Sequence, residues 1–227
     1  VRYYTVDRIK ETLRKAEAAG VNTVIARSDN HVKRLLWEYW DEGGQIQWIA
    51  HTASELGDQL RAVRDAARVG AKAVFIHGGI VDFWYAQGQT DQLAAALETM
   101  RACEVAGGFA GHDMRANTWI RDNLQPDFQM CCYYDPSPRG DSPHHVGGHQ
   151  EKWDLERRDE MAAFIPTLPW PAIHYKVFAA GNHSIEEGWQ FMAQHLRPTD
   201  GVCIGHHLGD NPNMIAENVA TFEGLTE

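Results

Sequence analysis

The sequence lacks the cysteine pairs, long apolar runs and basic clusters that mark several classes of protein. Its four cysteines are Cys103, Cys131, Cys132 and Cys203, and none forms a CxxC pair, so no disulfide framework is indicated. No apolar run approaches the roughly 18 residues of a membrane-spanning helix, and no signal peptide is recognisable. Lys and Arg total 21 against 31 Asp and Glu, and a formal charge of −10 repels nucleic acid and anionic membranes. We therefore expect a soluble, cytoplasmic protein that binds neither nucleic acid nor membranes.

Helix and strand signals alternate along the chain. Short apolar segments bounded by glycine predict seven strands, and amphipathic segments between them predict eight helices. The strands are expected at 22–27, 46–51, 72–77, 108–112, 128–134, 171–181 and 201–205. Short continuous apolar strands that alternate with helices are typical of parallel strands covered by helices. The pattern predicts one α/β domain over 1–227, with a mobile polar loop at about 135–152.

The count of strands indicates an incomplete TIM-type (β/α) barrel. A complete barrel has eight strands and begins with one, whereas the first signal here is a helix that Thr5 can cap. Either the first strand has been lost from this chain or the barrel does without it. A doubly wound open sheet is the alternative fold, but no GxGxxG or P-loop follows the first strand. Because open edges pair with other chains, we expect a homo-oligomer formed through the barrel edges.

Several stretches together resemble a group of uncharacterised bacterial TIM-barrel proteins. They are Arg-Tyr-Tyr-Thr-Val-Asp-Arg at 2–8, Tyr-Trp-Asp-Glu-Gly-Gly at 39–44 with Gln-Trp-Ile-Ala at 47–50, Ile-His-Gly-Gly at 76–79, His-Tyr-Lys-Val-Phe-Ala-Ala-Gly at 174–181, and Met-Ile-Ala-Glu-Asn at 214–218. The resemblance runs nearly end to end and implies the barrel fold. It also implies a further N-terminal strand with a Leu-Gly-Gly-Asn-Pro-like ending, which favours loss of that strand. It implies no activity and no catalytic residue.

Lys176 is the most unusual residue of the predicted strands. A lysine in an apolar strand costs several kcal/mol unless it is paired or hydrated. It is either an ion-paired or snorkelling lysine, or it faces an active site. His174 lies two residues earlier, and alternation along a strand would place both on one face. A desolvated lysine can form an imine with a carbonyl substrate, with Tyr133 or His174 moving the proton.

Histidines end or directly follow four of the seven strands. In TIM barrels these C-terminal ends face the active site. His77 and His112, with His51 or His206 and with Asp135 or Asp113, would supply the nitrogen and oxygen ligands that Zn²⁺ or Mn²⁺ accepts. The competing interpretation of each histidine is a hydrogen-bonded structural residue. Asp82 and the aromatic residues 83–85 lie close after His77 and have no assigned role.

Glycine-rich turns suggest an anion site. Gly181 and Gly205 follow the last two predicted strands, where TIM barrels often hold a phosphate on loop and helix N-termini. Ordinary turn and cap chemistry is the competing explanation. Arg27 and Lys176 would add positive charge there.

From these residues we expect a metal-dependent hydrolase that acts on a small phosphorylated or anionic ester. Lys176 would stabilise negative charge in the transition state. The first alternative is a Schiff-base lyase, aldolase or sugar isomerase that uses Lys176. The second is a non-catalytic remnant of a barrel enzyme that only binds its ligand. Cys131 is interpreted as packing rather than as a nucleophile.

Overall fold

The computed structural model describes residues 3–53, 56–135, 141–144 and 152–226. These residues form seven strands: β1 Thr23–Arg27, β2 Gln47–His51, β3 Ala73–Ile76, β4 Ala106–Gly111, β5 Phe128–Cys132, β6 Ala172–Tyr175 and β7 Gly201–Cys203. Nine α-helices are described: α1 Val6–Ala18, α2 Asn30–Asp41, α3 Gln59–Val69, α4 Gly78–Ala86, α5 Thr90–Ala102, α6 Met114–Asn123, α7 Leu155–Phe164, α8 Ile185–His195 and α9 Met214–Thr226. Two 3₁₀ turns, Ile165–Thr167 and Ala179–Gly181, complete the elements.

The strands form one parallel sheet in chain order, from β1 to β7. Each strand pairs with the next in parallel register, for example Val24 with Trp48 and Cys132 with Tyr175. The predicted TIM-type barrel of seven parallel strands is thereby confirmed. The prediction of eight helices was wrong, because the Gly-Gly start of α4 and its unbroken apolar sequence indicate a loop, not an amphipathic helix.

Side chains alternate between the inside of the barrel and the helical layer. Phe75, Ala110, Phe128 and Met130 pack together inside the barrel. The intervening residues, such as Trp48, Val74 and Phe109, pack against the helices in the largest apolar cluster. The same alternation along β5 sends Cys132 inward and Cys131 outward, where Cys131 joins a second apolar cluster with α7 and α8 residues.

The barrel is open between β1 and β7. A cleft of about 700 Å³ lies between these two strands. It is lined mainly by apolar side chains of α1, β1, β7, α8 and α9, among them Leu13, Val24, Val202, Trp189 and Phe222. Above the cleft, the Tyr4 hydroxyl donates to the carbonyl oxygen of His206, 3.0 Å away, and joins the chain before α1 to the end of β7. The opening lies where a complete TIM barrel has an eighth strand.

One predicted strand ends earlier in the structure than expected. The strand expected at 171–181 stops at Tyr175, because Lys176, Ala179 and Ala180 adopt left-handed backbone with φ of 58°, 49° and 51°. Most of the loop expected to be mobile at 135–152 lies outside the described residues. No helix in the described part of the chain is long and apolar enough to cross a bilayer.

Candidate active site

A buried carboxylate–imidazole pair lies at the C-terminal end of β4. The Nδ1 atom of His112 is 2.7 Å from Oδ2 of Asp82, and both side chains are at most 5% exposed. Asp82 also accepts hydrogen bonds from the backbone N–H groups of His112 and Asp113, at 2.9 and 3.1 Å. Because Asp82 is fixed by three N–H groups, it holds His112 with Nδ1 protonated and leaves Nε2 for other partners.

The helix α4 places this carboxylate. The His77 side chain accepts from the backbone N–H of Gly79 and caps the first turn of α4. A Cβ atom at Gly78 would lie 2.7 Å from Cε1 of His112, so the His112 ring packs directly on the helix backbone. The close approach requires glycine and brings Asp82, one turn further along α4, under the imidazole.

Lys176 lies at the mouth of the barrel, beside the free side of His112. Its Nζ atom is 3.5 Å from Nε2 of His112. The ammonium group also faces the rings of Trp153 and Tyr175, with 5.9 and 6.0 Å to the ring centroids. Trp153 is itself held by His183, whose Nε2 is 2.7 Å from the Trp153 carbonyl oxygen. Among the described residues, the lysine is therefore positioned by aromatic faces and by an imidazole rather than by a carboxylate.

Cys132 completes the cluster. It is the last residue of β5, is directly opposite Tyr175 in the sheet, and is 3% exposed. The Cys132 sulfur lies near enough to His112 and Tyr175 to raise the pKa of both. Its thiol also lies 2.9 Å from the carbonyl oxygen of Tyr134. A sulfur, an imidazole, a phenol and an amine thus meet at the ends of β4, β5 and β6.

The pKa values of this cluster are strongly perturbed. Burial alone would lower the pKa of His112, but the charges and hydrogen bonds of Cys132 and Asp82 raise it to about 9. Burial raises the pKa of Cys132, yet the charges of His112 and Lys176 outweigh it and leave that pKa below its usual value. Burial, followed by the Cys132 charge, raises the pKa of Tyr175 well above 10. The arrangement favours a thiolate next to an imidazolium, with a neutral phenol.

His174 and Tyr133 do not face this cluster, which corrects the expectation that His174 shares the face of Lys176. The Tyr133 hydroxyl is 2.8 Å from Nδ1 of His174, and Nε2 of His174 is 3.3 Å from Asp200, in the layer between sheet and helices. Both side chains are completely buried there. The left-handed backbone at Lys176 breaks the strand alternation, so the lysine turns to the mouth while His174 points outward.

The predicted metal ligands do not form one site. Only His112 joins the cluster, where Asp82 and Lys176 occupy its two ring nitrogens. The ring centroids of His51 and His77 lie 5.7 Å apart. Asp135 lies near Arg157, and after Glu160 it helps to raise the pKa of that guanidinium. No group of three His, Cys, Asp or Glu side chains within 3–53, 56–135, 141–144 and 152–226 is placed to hold a metal ion. Metal binding by His51, His77, His112 and Asp135 stays a prediction.

The predicted anion-binding residues are distributed around the mouth. Arg27 ends β1, and its Nε atom is 3.5 Å from Asp29. Gly181 ends the 3₁₀ turn after Lys176, with φ of 85°, and Gly205 lies two residues beyond β7. His206 and His207 follow, and the Tyr3 ring packs on His207. Substrate binding by Arg27, Gly181 and Gly205 stays a prediction.

Sequence reasoning missed Cys132, Tyr175 and Trp153. The run 128–132 is apolar throughout, so the sequence does not show which face of the strand is the inner one. Had Phe128 and Met130 been assigned to the inner face, alternation would have placed Cys132 there as well. Asp82 was noted without a role, because its partnership with His112 depends on the unpredicted helix α4. Cys131 is buried packing as interpreted, and burial raises its pKa far above the usual value.

Comparisons with known proteins give structural likeness only. No family model matches the chain, and no curated protein matches it. A solved structure from Pseudomonas aeruginosa, proposed to be an aldo-keto reductase, is 15% identical, covers 99% of this chain and 85% of its own, with a TM-score of 0.67. The aldolase QR15 is 14% identical, with 98% and 92% covered and a TM-score of 0.57. A protein of Coccidioides immitis, proposed to be a deoxyribose-phosphate aldolase, is 13% identical, with 87% and 76% covered and a TM-score of 0.55. At these identities the likeness shows the fold alone, a TIM-type barrel.

Proposed function

We propose that this protein is a lyase of the aldolase type, in which Lys176 forms an imine with a small carbonyl substrate. The observation that carries the proposal is the position of the Lys176 amine, at the barrel mouth and 3.5 Å from an imidazole that Asp82 holds in place. Nucleophilic lysines need a desolvated setting or a cationic neighbour, and His112, with a pKa raised to about 9, is such a neighbour.

His112 faces the Lys176 amine as a proton donor. Its Nε2 atom is 3.5 Å from Nζ, and Cys132 and Asp82 raise the pKa of His112 to about 9. An imidazolium at this position can give a proton to a group bound at Lys176.

Imine formation then follows from the residues present. The Nζ lone pair attacks the carbonyl carbon, the carbonyl electrons move to oxygen, and the proton that the nitrogen gives up passes to that oxygen. The His112 imidazolium donates a second proton to that hydroxyl, water leaves, and a C=N bond forms. The resulting cationic imine would lie against the faces of Trp153 and Tyr175, which attract positive charge. Each group acts from the place it already occupies.

The comparison proteins support this class over the hydrolase expected from the sequence. Two of the similar structures are aldolases by name or proposal, although at 13–14% identity they support the class only by analogy. In the described part of the chain the proposed metal ligands form no group of three that could hold an ion, whereas Lys176 has an imidazole and two aromatic rings around its amine.

Reduction of the imine by borohydride tests the proposal. The protein is incubated separately with acetaldehyde, acetone and pyruvate, reduced with borohydride, and digested for mass spectrometry. We expect the Lys176 peptide to be labelled at least tenfold faster than that of the exposed Lys72. Lys176→Met should lose this label, and Lys72→Met, its matched control, should keep it.

Equal, slow labelling of both lysines by every carbonyl compound, in protein that remains folded by circular dichroism, contradicts an imine-forming enzyme. That result would favour the non-catalytic binding protein. A loss of activity on phosphoesters after chelation, with no labelling of Lys176, would restore the metal-dependent hydrolase.

A further inference from the structure

The imidazole of His112 has one ring nitrogen on a carboxylate and the other at the Lys176 amine. Nδ1 is 2.7 Å from Oδ2 of Asp82, and Nε2 is 3.5 Å from Nζ. In the part of the chain that the structure describes, Nε2 is the side-chain acid–base atom within hydrogen-bonding distance of that amine. The imine chemistry above uses His112 once, to release water, and leaves the proton transfers of a carbon–carbon step without a residue.

We infer that His112 is also the base and the acid of the carbon–carbon step, so that one proton carried at Nε2 serves the whole cleavage of a β-hydroxy carbonyl substrate. This inference rests on the proposed imine-forming function and deepens it by naming that substrate class. Asp82 touches no reacting atom and is the positioning residue of His112.

The His112 ring is held where the bound substrate must lie. Asp82 holds Nδ1 and is itself fixed by the backbone N–H groups of His112 and Asp113. The Gly78 backbone packs on the other edge of the ring, where a Cβ atom would lie 2.7 Å from Cε1. In an imine at Lys176, only the imine carbon separates the α carbon from Nζ, and the hydroxyl on the β carbon follows directly. Both groups therefore come within reach of Nε2, in either protonation state of the ring.

The charges around His112 favour each protonation state in turn. In the free site, Asp82 on α4 and Cys132 on β5 raise the pKa of His112 to about 9, so that the ring is an imidazolium. The cationic imine at Lys176 then opposes these two groups, because a like charge disfavours the imidazolium. Loss of the proton to the departing water leaves a neutral imidazole beside the bound substrate, and a neutral imidazole is a general base.

The step balances with the proton that His112 already carries. Nε2 takes the proton of the hydroxyl group on the carbon β to the imine carbon, and that C–O bond becomes a C=O bond. The bond between the α and β carbons breaks, its electrons form an enamine as the cationic imine becomes neutral, and an aldehyde or ketone leaves. The imidazolium returns the proton to the α carbon, which regenerates the cationic imine. Water then adds to the imine carbon and gives a proton to Nε2, and the second product leaves Lys176.

Exchange of α hydrogens for deuterium measures this proton transfer separately from imine formation. Wild type and His112→Gln are held in D₂O with acetone or pyruvate until the imine trapped by borohydride at Lys176 reaches a constant level, and proton NMR then follows exchange. We expect exchange per trapped imine to fall at least 100-fold in His112→Gln, because glutamine transfers no proton and a positioned acid–base group contributes about 10²–10⁴. His31→Gln replaces an exposed histidine on α2 and is the matched control, which should exchange like wild type.

The pH profile tests the link between His112 and Asp82. Since the neutral ring is the base, exchange per trapped imine should rise with pH and level off above the pKa of His112 in the imine complex. Asp82→Asn keeps the shape of the side chain and removes its charge, so the midpoint should move to lower pH. An Asp82 that only supports the fold would lower the rate and leave the midpoint in place.

The outcomes separate this inference from the proposed function. Wild type that traps no imine at Lys176 contradicts the imine-forming function itself. Trapping at Lys176 with equal exchange per imine in wild type and His112→Gln keeps that function and removes His112 as the base. If circular dichroism shows that His112→Gln does not fold, the wild-type profile decides, because exchange that is independent of pH overturns the inference equally.

Discussion

The closed and the open sides of the barrel differ in how their strands are held. All residues of β3 and β5 are buried, and each strand has a paired neighbour on both sides. No residue of β1 or β7 is buried, and each is paired on one side in the described sheet. The cluster of Asp82, His112, Cys132 and Lys176 belongs to the closed side. Catalytic groups must be held to within about 0.5 Å of their working geometry, and here they lie on or close after strands whose backbone is paired on both sides.

A charge placed in one strand of each side gives the largest test of this comparison. Val74 of β3 is completely buried, whereas Val24 of β1 lies beside the cleft. We expect Val74→Asp to lower the free energy of unfolding by about 4 kcal/mol or more, and Val24→Asp by about 1 kcal/mol, because water in the cleft can solvate the second carboxylate. Urea denaturation measures both. Equal losses would mean that the edge strand is as firmly enclosed as the central one.

The same two variants bear on the self-association expected through the open edges. A charge at Val24 should reduce a homo-oligomer that forms through β1, and light scattering would record the change. Wild type that scatters as a monomer at every concentration would contradict the expected oligomer. The homo-oligomer stays a prediction.

Removal of the Asp82 carboxylate tests the centre of the closed side. Asp82→Ala leaves the His112 ring and two backbone N–H groups buried without their acceptor. We expect a loss of about 3 kcal/mol in the free energy of unfolding, as for other broken buried pairs, together with loss of Lys176 labelling. Asp113→Ala, which removes a neighbouring half-buried carboxylate, is the control and should cost less than about 1 kcal/mol. Loss of labelling without loss of stability would mean that Asp82 does not hold His112 in the fold.

The pH dependence of stability sharpens the assignment of charge within the cluster. The pKa of His112, raised to about 9, contributes stability that is complete below pH 6.5 and is lost as pH rises through 9. The lowered pKa of Cys132 contributes stability that is complete above its ordinary pKa and is lost as pH falls through its folded value. Between pH 6.5 and 9 the two changes oppose each other, because the folded pair holds one proton throughout. The difference in free energy of unfolding between wild type and Cys132→Ser should therefore be nearly flat there and shrink below it.

Urea denaturation of both proteins at intervals of pH measures that difference. Asp82 and Lys176 face the same pair and are present in both proteins, so the comparison isolates the exchange of the sulfur for a hydroxyl. A difference that rises or falls steadily from pH 6.5 to 9 would show that only one of the two groups titrates abnormally.

A methyl group at Gly78 should displace His112 with little effect on the barrel. The added Cβ would lie 2.7 Å from Cε1 of His112, so the ring or α4 must move. Since misplacement by about 1 Å can cost 10²-fold in rate, we expect Gly78→Ala to slow labelling of Lys176 by about 10-fold to 100-fold. Gly205→Ala is the matched control, because no atom lies within 4 Å of its added Cβ. Equal rates in both variants would remove His112 from the chemistry.

The barrel could be predicted from the sequence because its strands are short, apolar and bounded by glycine, and that pattern depends only on local residues. The site could be predicted only in part. His112 and Lys176 are visible at strand ends, but the orientation of His174 depends on where β6 stops. That end is set by a left-handed residue, which sequence indicates poorly when the residue is not glycine. The pairing of Asp82 with His112 depends on α4, whose apolar sequence lacks helical periodicity.

The backbone of Lys176 provides the smallest and most specific test. A lysine with φ of 58° is strained by about 1 kcal/mol relative to glycine, and the next turn has two further left-handed residues, Ala179 and Ala180. We expect Lys176→Gly to raise the free energy of unfolding by about 0.5–1 kcal/mol while abolishing imine formation at this position. Ala180→Gly, the matched control, should stabilise by a similar amount and keep the label. Such a result would mean that the left-handed backbone at Lys176, which turns the amine toward His112, lowers the stability of the fold. Destabilisation by Lys176→Gly would instead mean that the packing of the lysine stem on Trp153 and Tyr175 outweighs the strain, and that the lysine is held there for the fold.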